Sequence, residues 1–263
     1  MTVVAPVCPD CRADLAEVHD GYRCTGCALS WASEDGFPKL FREREVRASD
    51  RFQRLAREGA RPQRILFAST LPLSGEMESG GFRLWQVTRV DGGWSAPEPL
   101  RIADEPAGGK GYPSLAADGT LYFSSMPEGT RNSDIYRAAP AGEGYATPEK
   151  LPPPVNTDRF EGDAYVDRQE RFVIFAAFHR EGGLGESDLH ISFRCGAEWS
   201  EPANPGPDVN SAGFDGSPWV TPDDRFLLFT SSRPTDESGE PDFFNVYSVS
   251  LDLAKLAPSC TRE

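Results

Sequence analysis

The chain has 263 residues, of which 38% are hydrophobic and 26% charged, and it contains 25 Gly, 23 Pro and 16 Phe. Lys and Arg number 27 and Asp and Glu number 41, so the formal net charge is −14. The Gly, Pro and aromatic content excludes a helical bundle and favours short strands and tight turns. The acidic charge excludes nucleic acid and a membrane surface as main partners, because both require a basic surface.

Residues 1–41 hold two Cys-x-x-Cys motifs, separated by twelve residues. Motifs at this spacing suit one tetrahedral zinc ion bound by four thiolates, and a disulfide framework is the alternative. So short a segment buries little apolar core, so the metal would supply much of its folding free energy. The sequence therefore predicts a zinc ribbon over residues 1–41, with structural zinc as the cofactor. Its ligands would be Cys8, Cys11, Cys24 and Cys27.

The segments Cys8-Pro-Asp-Cys11, Tyr22-Arg-Cys24-Thr-Gly-Cys27 and Asp35-Gly-Phe-Pro38 resemble the zinc ribbon that precedes bacterial SAM-dependent methyltransferases. That family has Ile where Phe37 stands here. A methyltransferase also needs a Gly-rich turn that opens a helix, whereas the Gly182–Gly185 cluster precedes a predicted strand. A remnant of a methyltransferase gene fusion therefore stays the third hypothesis for function.

After a predicted helical linker over residues 42–62, an apolar strand recurs four times. Its central aromatic residues are spaced 56, 52 and 54 residues apart: Phe67, Phe123, Phe175 and Phe229. A second strand follows each copy, and a Trp-x-x-Pro or Tyr-x-x-Pro segment, which is predicted to be the outermost strand, follows three of them. A short strand and turn precede three copies, and Asp118-Gly119 is predicted to form a hairpin turn between the inner two strands of its unit. Four short strands per unit of about 54 residues are typical of β-propeller blades.

The fold class predicted is mainly β, a partial or small propeller of about four four-stranded blades preceded by the ribbon and linker. The propeller would span residues 63–263. Its four repeats would be 63–108, 109–158, 159–212 and 213–263. The repeats Tyr112–Ser125 and Ser217–Ser232 resemble those of bacterial TolB-type propellers, which implies a WD40-like scaffold used for protein or small-ligand contacts. That family usually has six blades and is exported.

The first repeat lacks the innermost strand and the last lacks the Trp-x-x-Pro segment. We expect either an irregular closure that uses the tail Lys255–Cys260, or an open arc. Open strand edges invite pairing with another chain, so the open arc predicts a homo-oligomer formed through the blade edges.

Recurrent acids fall at turns, where an Asp side chain commonly bonds to nearby backbone N–H groups. They are therefore interpreted as structural rather than as a cation- or sugar-binding face: Asp134, Glu161, Asp163, Asp188 and Asp215. Positions that differ between repeats are better site candidates, and six such positions lie on the predicted innermost strands. The candidate ligand-binding residues are Tyr112, Ser114, Asp163, Tyr165, Ser217 and Trp219.

His190 replaces Tyr136 and Tyr247 of the other repeats, which predicts a packed residue, and Cys195 is predicted to be a free thiol on a loop. Free thiols and the absence of a signal-like N-terminus predict a cytoplasmic protein. No catalytic residue is predicted. The leading hypothesis is a non-enzymatic scaffold that binds a protein or a small polar ligand, and the alternative is a hydrolase or lyase acting on a glycan or peptide.

Overall fold

A computed structural model describes residues 64–70, 81–91, 93–130, 132–234 and 244–261, together with the backbone of four strands between residues 15 and 38. The chain divides into two compact units, Met1–Gln63 with Pro234–Gly239 and Arg64–Arg233 with Glu240–Glu263. The predicted helical linker over residues 42–62 lies outside the described residues. So do Cys8, Cys11, Cys27 and the side chain of Cys24.

The first unit contains a four-stranded antiparallel sheet in chain order: β1 (Leu15–Val18), β2 (Gly21–Cys24), β3 (Ser30–Glu34) and β4 (Phe37–Pro38). Leu15 pairs with Cys24 and Val18 with Gly21. The two Cys-x-x-Cys motifs therefore adjoin, in sequence, the same end of the β1–β2 hairpin.

The second unit is a four-blade β-propeller arrangement, as the repeats predict. Each blade is an antiparallel sheet built outwards from its innermost strand. Blade 1 contains β5 (Arg64–Ser69), β6 (Arg83–Val90), β7 (Gly93–Trp94) and β8 (Glu98–Pro99); blade 2 contains β9 (Gly109–Leu115), β10 (Leu121–Met126), β11 (Asp134–Ala138), β12 (Pro140–Ala141), β13 (Gly144–Tyr145) and β14 (Glu149–Lys150); blade 3 contains β15 (Glu161–Val166), β16 (Phe172–Phe178), β17 (Ser187–Cys195) and β18 (Glu198–Trp199); blade 4 contains β19 (Asp215–Val220), β20 (Phe226–Ser231) and β21 (Asn245–Ser250).

The apolar residues of the second strands pack alternately against the two neighbouring blades. In β16, Phe175 belongs to the core shared with blade 2, and Ile174 belongs to the core shared with blade 4. This alternation explains why the strand is apolar at every position, since both of its faces are covered. The turn before β10 is the predicted one, with Gly119 at φ +92° and the Asp118 carboxylate accepting the Thr120 N–H at 2.8 Å.

The Trp-x-x-Pro segment is not itself the outermost strand, so that expectation was wrong. Trp94 and Trp199 lie in two-residue strands that pair back with the third strand of their own blade. The outermost strand begins just after the proline, as β8 and β14 show. Proline lacks an N–H donor, so it terminates the short hairpin and the chain crosses to the blade edge after it.

In the part of the chain that the structure describes, the first and last blades are incomplete, as predicted. Within the described residues, the sheet of blade 1 has no strand on the inner side of β5, and β21 has no outer neighbour. The tail does not supply either missing strand. It forms a short helix, α1 (Leu253–Leu256), and a 3-10 turn, and Leu253 and Leu256 pack on the core between blades 3 and 4.

Cys195 is not a free thiol. It is the last residue of β17 and forms a disulfide with Cys260, with the two Cα atoms 5.5 Å apart. No local pattern indicates this pairing, because 65 positions separate the two residues. The disulfide removes the free-thiol argument for a cytoplasmic location. The location itself stays a prediction. Among the described residues, no helix is long and apolar enough to cross a membrane.

Candidate ligand-binding site

The three complete innermost strands carry the same backbone irregularity. The register of each with its neighbour shifts at one place, after Gly111 in β9, Gly162 in β15 and Gly216 in β19. The next residue adopts a left-handed backbone conformation in all three blades. These residues are Tyr112 (φ +53°), Asp163 (φ +52°) and Ser217 (φ +50°). Non-glycine residues in this region cost of order 1–3 kcal/mol each and concentrate at functional sites.

The irregularity brings three chemically different side chains together, and we name Tyr112, Asp163 and Ser217 the axial cluster. The Ser217 N–H donates to Asp163 Oδ2 at 3.1 Å, and the Ser217 hydroxyl lies 3.4 Å from the same oxygen. The Tyr112 hydroxyl lies beside this pair, since the side chains of both residues act on its pKa. Three of the six predicted candidates therefore meet, one from each of three consecutive blades.

The Asp163 carboxyl is buried, with 5% of the residue exposed. Burial raises its pKa from 3.8 to about 6, although hydrogen bonds from Ser217 and Tyr112 oppose the shift. Burial and the adjacent Asp163 carboxylate also raise the pKa of Tyr112, so its hydroxyl stays protonated at neutral pH. The cluster thus combines one buried carboxyl, with a pKa of about 6, and two less buried hydroxyl groups.

The accessible part of the cluster is the tyrosine. Tyr112 is 49% exposed although its hydroxyl lies beside the buried carboxyl, and Ser217 is half-buried. Glycine at position 216 is required for this approach, because a Cβ there would lie 2.9 Å from Asp163 Oδ2. The tyrosine is therefore the member of the cluster that solvent reaches most readily.

The other three candidates are not part of this cluster. Ser114 Oγ accepts the Val166 N–H at 3.0 Å, and the Tyr165 hydroxyl lies 3.5 Å from the Val220 carbonyl oxygen. Both side chains thus join neighbouring innermost strands. Trp219 is 47% exposed on β19.

The acids that recur in the repeats have structural roles, with Asp163 as the exception. Glu161 accepts the Thr157 N–H at 2.9 Å, and Asp215 accepts the Ser211 N–H at 2.6 Å. Each therefore fixes the loop that leads into its own strand. Asp188 accepts the Leu184 and Gly185 N–H groups, which shows that the Gly182–Gly185 cluster is a loop held by an acid. Asp134 forms an ion pair with Lys150 at 2.8 Å.

His190 is a packed residue, as predicted. It is 2% exposed and stacks on Phe175 with ring centroids 6.2 Å apart, and burial lowers its pKa. It therefore stays neutral at physiological pH. Within the part of the chain that the structure describes, no group of three or more His, Cys, Asp or Glu side chains is arranged to hold a metal ion.

Sequence reasoning missed one residue that differs between repeats. Lys110 stands where blades 3 and 4 have Glu161 and Asp215, directly before the glycine that precedes each member of the axial cluster. Aligning the repeats on that glycine would have found this reversal of charge.

No family model matches the chain, and no curated protein matches it. Solved structures with a similar arrangement include TolB from Acinetobacter baumannii (13% identity, TM-score 0.40, 90% of this chain and 65% of that one). A gluconolactonase from Xanthomonas campestris is 16% identical, with a TM-score of 0.39 over 65% of this chain and 51% of that one. A protein from Lactobacillus plantarum is 14% identical, with a TM-score of 0.36 over 72% of this chain and 53% of that one.

The chain therefore spans about half of the gluconolactonase and of the Lactobacillus protein, and just under two thirds of TolB. At these identities and TM-scores the similarity gives no information about ligand or reaction.

Proposed function

We propose that this protein is a binding module whose propeller takes a small hydroxyl-rich ligand, such as a saccharide, at the axial cluster. The observation that carries the proposal is the convergence of Tyr112, Asp163 and Ser217. They occupy equivalent positions in three blades, differ in chemistry, and each holds a costly left-handed backbone conformation. A purely structural role would recur with the same chemistry, as it does for the loop-fixing acids Glu161 and Asp215 of blades 3 and 4.

The groups of the cluster suit a ligand that both donates and accepts hydrogen bonds. Tyr112 offers an exposed ring face, and the Tyr112 and Ser217 hydroxyl groups can donate to or accept from a ligand hydroxyl. Asp163 acts as a positioning residue, since its carboxylate accepts the Ser217 N–H and lies beside both hydroxyl groups. Its negative charge also disfavours an anionic ligand at this point.

The test is saturation-transfer NMR with D-glucose and D-glucosamine on the full chain at pH 7.5. We expect transfer to at least one probe, a reduction of roughly tenfold or more in affinity for Tyr112→Ala, and a smaller reduction for Asp163→Asn. Asp252→Asn is the matched control, because its side chain is 53% exposed and pairs with Lys255 on the tail. Binding that is unchanged in both cluster variants would contradict the proposal, and so would an absence of transfer to wild type.

A second candidate function, an enzyme that acts on a glycan, is supported by the Asp163 pKa of about 6, which suits a group that donates a proton. Glycoside hydrolysis normally uses two carboxyl groups, and the axial cluster contains a single one. Binding is therefore the proposal that we favour. Turnover of 4-nitrophenyl glycosides that is lost in Asp163→Asn would reverse this preference.

We further propose that the first unit binds one structural zinc ion through Cys8, Cys11, Cys24 and Cys27. The support is the spacing of the two motifs and the β1–β2 register, which pairs Leu15 with Cys24. Because Cys24 is the last residue of the hairpin and Cys11 lies four positions before its first residue, both motifs adjoin the same end of the hairpin in sequence.

Metal analysis of purified protein tests the zinc proposal. We expect one equivalent in wild type and a loss of most of it in Cys24→Ser. Cys260→Ser is the control, because Cys260 is paired with Cys195 in the other unit, and its zinc content should match wild type. Less than half an equivalent in wild type would refute the proposal.

A further inference from the structure

In blades 3 and 4, the charge of the buried acid on the innermost strand is balanced by an arginine of the same blade. Glu161 is 1% exposed and lies 3.6 Å from Arg180, and Asp215 is 0% exposed and lies 3.2 Å from Arg233. Each acid also accepts hydrogen bonds from a Thr or Ser of the preceding loop. In these two blades the buried acid therefore has all of these partners within the protein itself.

Aromatic side chains fill the space beside these two positions. Phe160 precedes Glu161 and packs on Phe178, with ring centroids 4.4 Å apart. Phe214 precedes Asp215 and packs on the same ring at 5.5 Å. Both rings belong to the loop ends that lead into the innermost strands, so they seal the space next to each buried acid.

Blade 2 differs at every one of these points. Lys110 replaces the acid, Gly109 replaces the aromatic residue, Pro106 replaces the Thr or Ser, and Met126 replaces Phe178. Met126 is 43% exposed, whereas the equivalent phenylalanine of blade 3 is half-buried beneath other rings. Changes at four positions around one site reverse its charge and remove its aromatic cover.

The result is a cavity of about 730 Å³ between blades 1 and 2. This volume lies within the range of about 300–1,000 Å³ that is usual for small-molecule sites. Its lining includes Phe82, Glu105, Gly108, Gly109, Lys110 and Met126. Phe82 is 57% exposed, so the cavity has an apolar rim as well as a charged base.

Lys110 places a positive charge at the base of this cavity. The residue is 6% exposed, and its ammonium donates to the Gly108 carbonyl oxygen at 3.0 Å and lies 3.5 Å from Glu105 Oε2. Glu105 is itself 47% exposed at its side chain, so it can turn to solvent at little cost. A buried ammonium needs a close anionic partner, and an exposed glutamate is one that a ligand can replace.

We propose that this cavity binds a small carboxylate ligand that has an apolar portion. The ligand carboxylate takes the place of Glu105 at Lys110 Nζ, and its apolar portion lies against Phe82 and Met126. The cavity lining carries Lys110 and Arg83 against Glu105 and Glu128, so its formal charges balance. Adding one negative charge to such a lining costs less than adding two, which favours a carboxylate over a doubly charged phosphate. This site is separate from the axial cluster and does not depend on the function proposed there.

The test is an NMR titration of the full chain with sodium benzoate at constant ionic strength, with inorganic phosphate as the second probe. We expect saturable benzoate binding, about tenfold weaker in Lys110→Met, which keeps the aliphatic stem and removes the charge. Glu105→Gln should bind benzoate about two- to fivefold more tightly, because the competing carboxylate is gone. Lys255→Met is the matched control, since its side chain is 81% exposed on the tail.

A second variant tests the cavity without removing the charge. Gly109→Phe restores the aromatic residue of the other blades, and the added Cβ has its nearest contact at 3.9 Å, to Phe82 Cβ. We expect this variant to keep the wild-type melting temperature or exceed it, and to lose benzoate binding. The proposal is wrong if wild type shows no saturable benzoate binding, if Lys110→Met and Gly109→Phe bind as wild type does, or if phosphate binds more tightly than benzoate.

Discussion

Asp163 combines a backbone conformation and a buried charge that both oppose folding at neutral pH. Its backbone is left-handed, its carboxyl is buried, and its charge is balanced by hydrogen bonds rather than by a cation among the groups that shift its pKa. The fold therefore favours the protonated carboxyl. Raising the pKa from 3.8 to about 6 corresponds to about 3 kcal/mol between the protonated and ionised states.

This shift predicts a pH-dependent difference between wild type and Asp163→Asn. Because the folded-state pKa is raised, the protonated carboxyl contributes stability below about pH 4, and this contribution is lost as the pH rises through about 6. The amide of Asn does not ionise. We therefore expect the free energy of unfolding of Asp163→Asn, relative to wild type, to rise by about 2 kcal/mol between pH 4 and pH 7, since part of the full difference already falls below pH 4.

Urea denaturation of both proteins at pH 4, 5, 6 and 7 measures this difference. The comparison cancels the other titrating groups, including Asp167 and Asp223, whose pKa values the fold lowers. A difference that stays constant over this range would show that Asp163 keeps an ordinary pKa in the folded protein.

At the scale of elements, the blades are joined by buried side chains as well as by apolar packing. Asn156 accepts the Ile135 N–H at 2.9 Å and donates to the Ile135 and Leu151 carbonyl oxygens at 2.8 Å. Asn210 makes the same pair of contacts with Leu189, one blade further along. Each asparagine therefore ties the loop that enters one blade to the third strand of the blade before it.

The tail is held to blade 3 by a different device, the Cys195–Cys260 disulfide. The bond closes a loop of 65 residues, which in the chain-entropy view stabilises the fold by about 4 kcal/mol. We expect Cys260→Ser, Cys195→Ser and the double variant to lose the same amount of stability, since each removes the same bond. Thermal and urea unfolding of the three variants check this, and losses that add in the double variant would mean that the thiols are unpaired in wild type.

The elements that the sequence predicted correctly are those fixed by local pattern. The apolar run around Phe175 and the Asp118-Gly119 turn depend on neighbouring residues, and both have the predicted structure. The position of the outermost strands and the Cys195–Cys260 pair depend on contacts distant in sequence, and these expectations were wrong. For the candidate site, the repeat alignment identified Tyr112, Asp163 and Ser217, but the backbone irregularity that separates them from Ser114 and Tyr165 has no sequence signal of its own.

For the whole molecule, the incomplete last blade leaves β21 as a sheet edge among the described residues. Val246 in this strand is 71% exposed, and Phe244 just before it is 57% exposed. An exposed apolar edge strand is a template for pairing with another chain. We propose that the occupant is a second copy of this chain, because two β21 strands related by a two-fold axis can pair antiparallel and so cover each other's edge.

This proposal predicts a dimer that a single charge disrupts. Val246→Lys places a charge on the edge without removing a buried contact, and lysine on an edge strand opposes pairing. In analytical ultracentrifugation we expect wild type at twice the monomer mass at high protein concentration and Val246→Lys at the monomer mass. Leu184→Lys adds the same charge at a loop residue that is 48% exposed, and it should remain dimeric. A wild-type monomer at all concentrations, or a Val246→Lys variant that dimerises as wild type does, would show that the edge of β21 is not the interface.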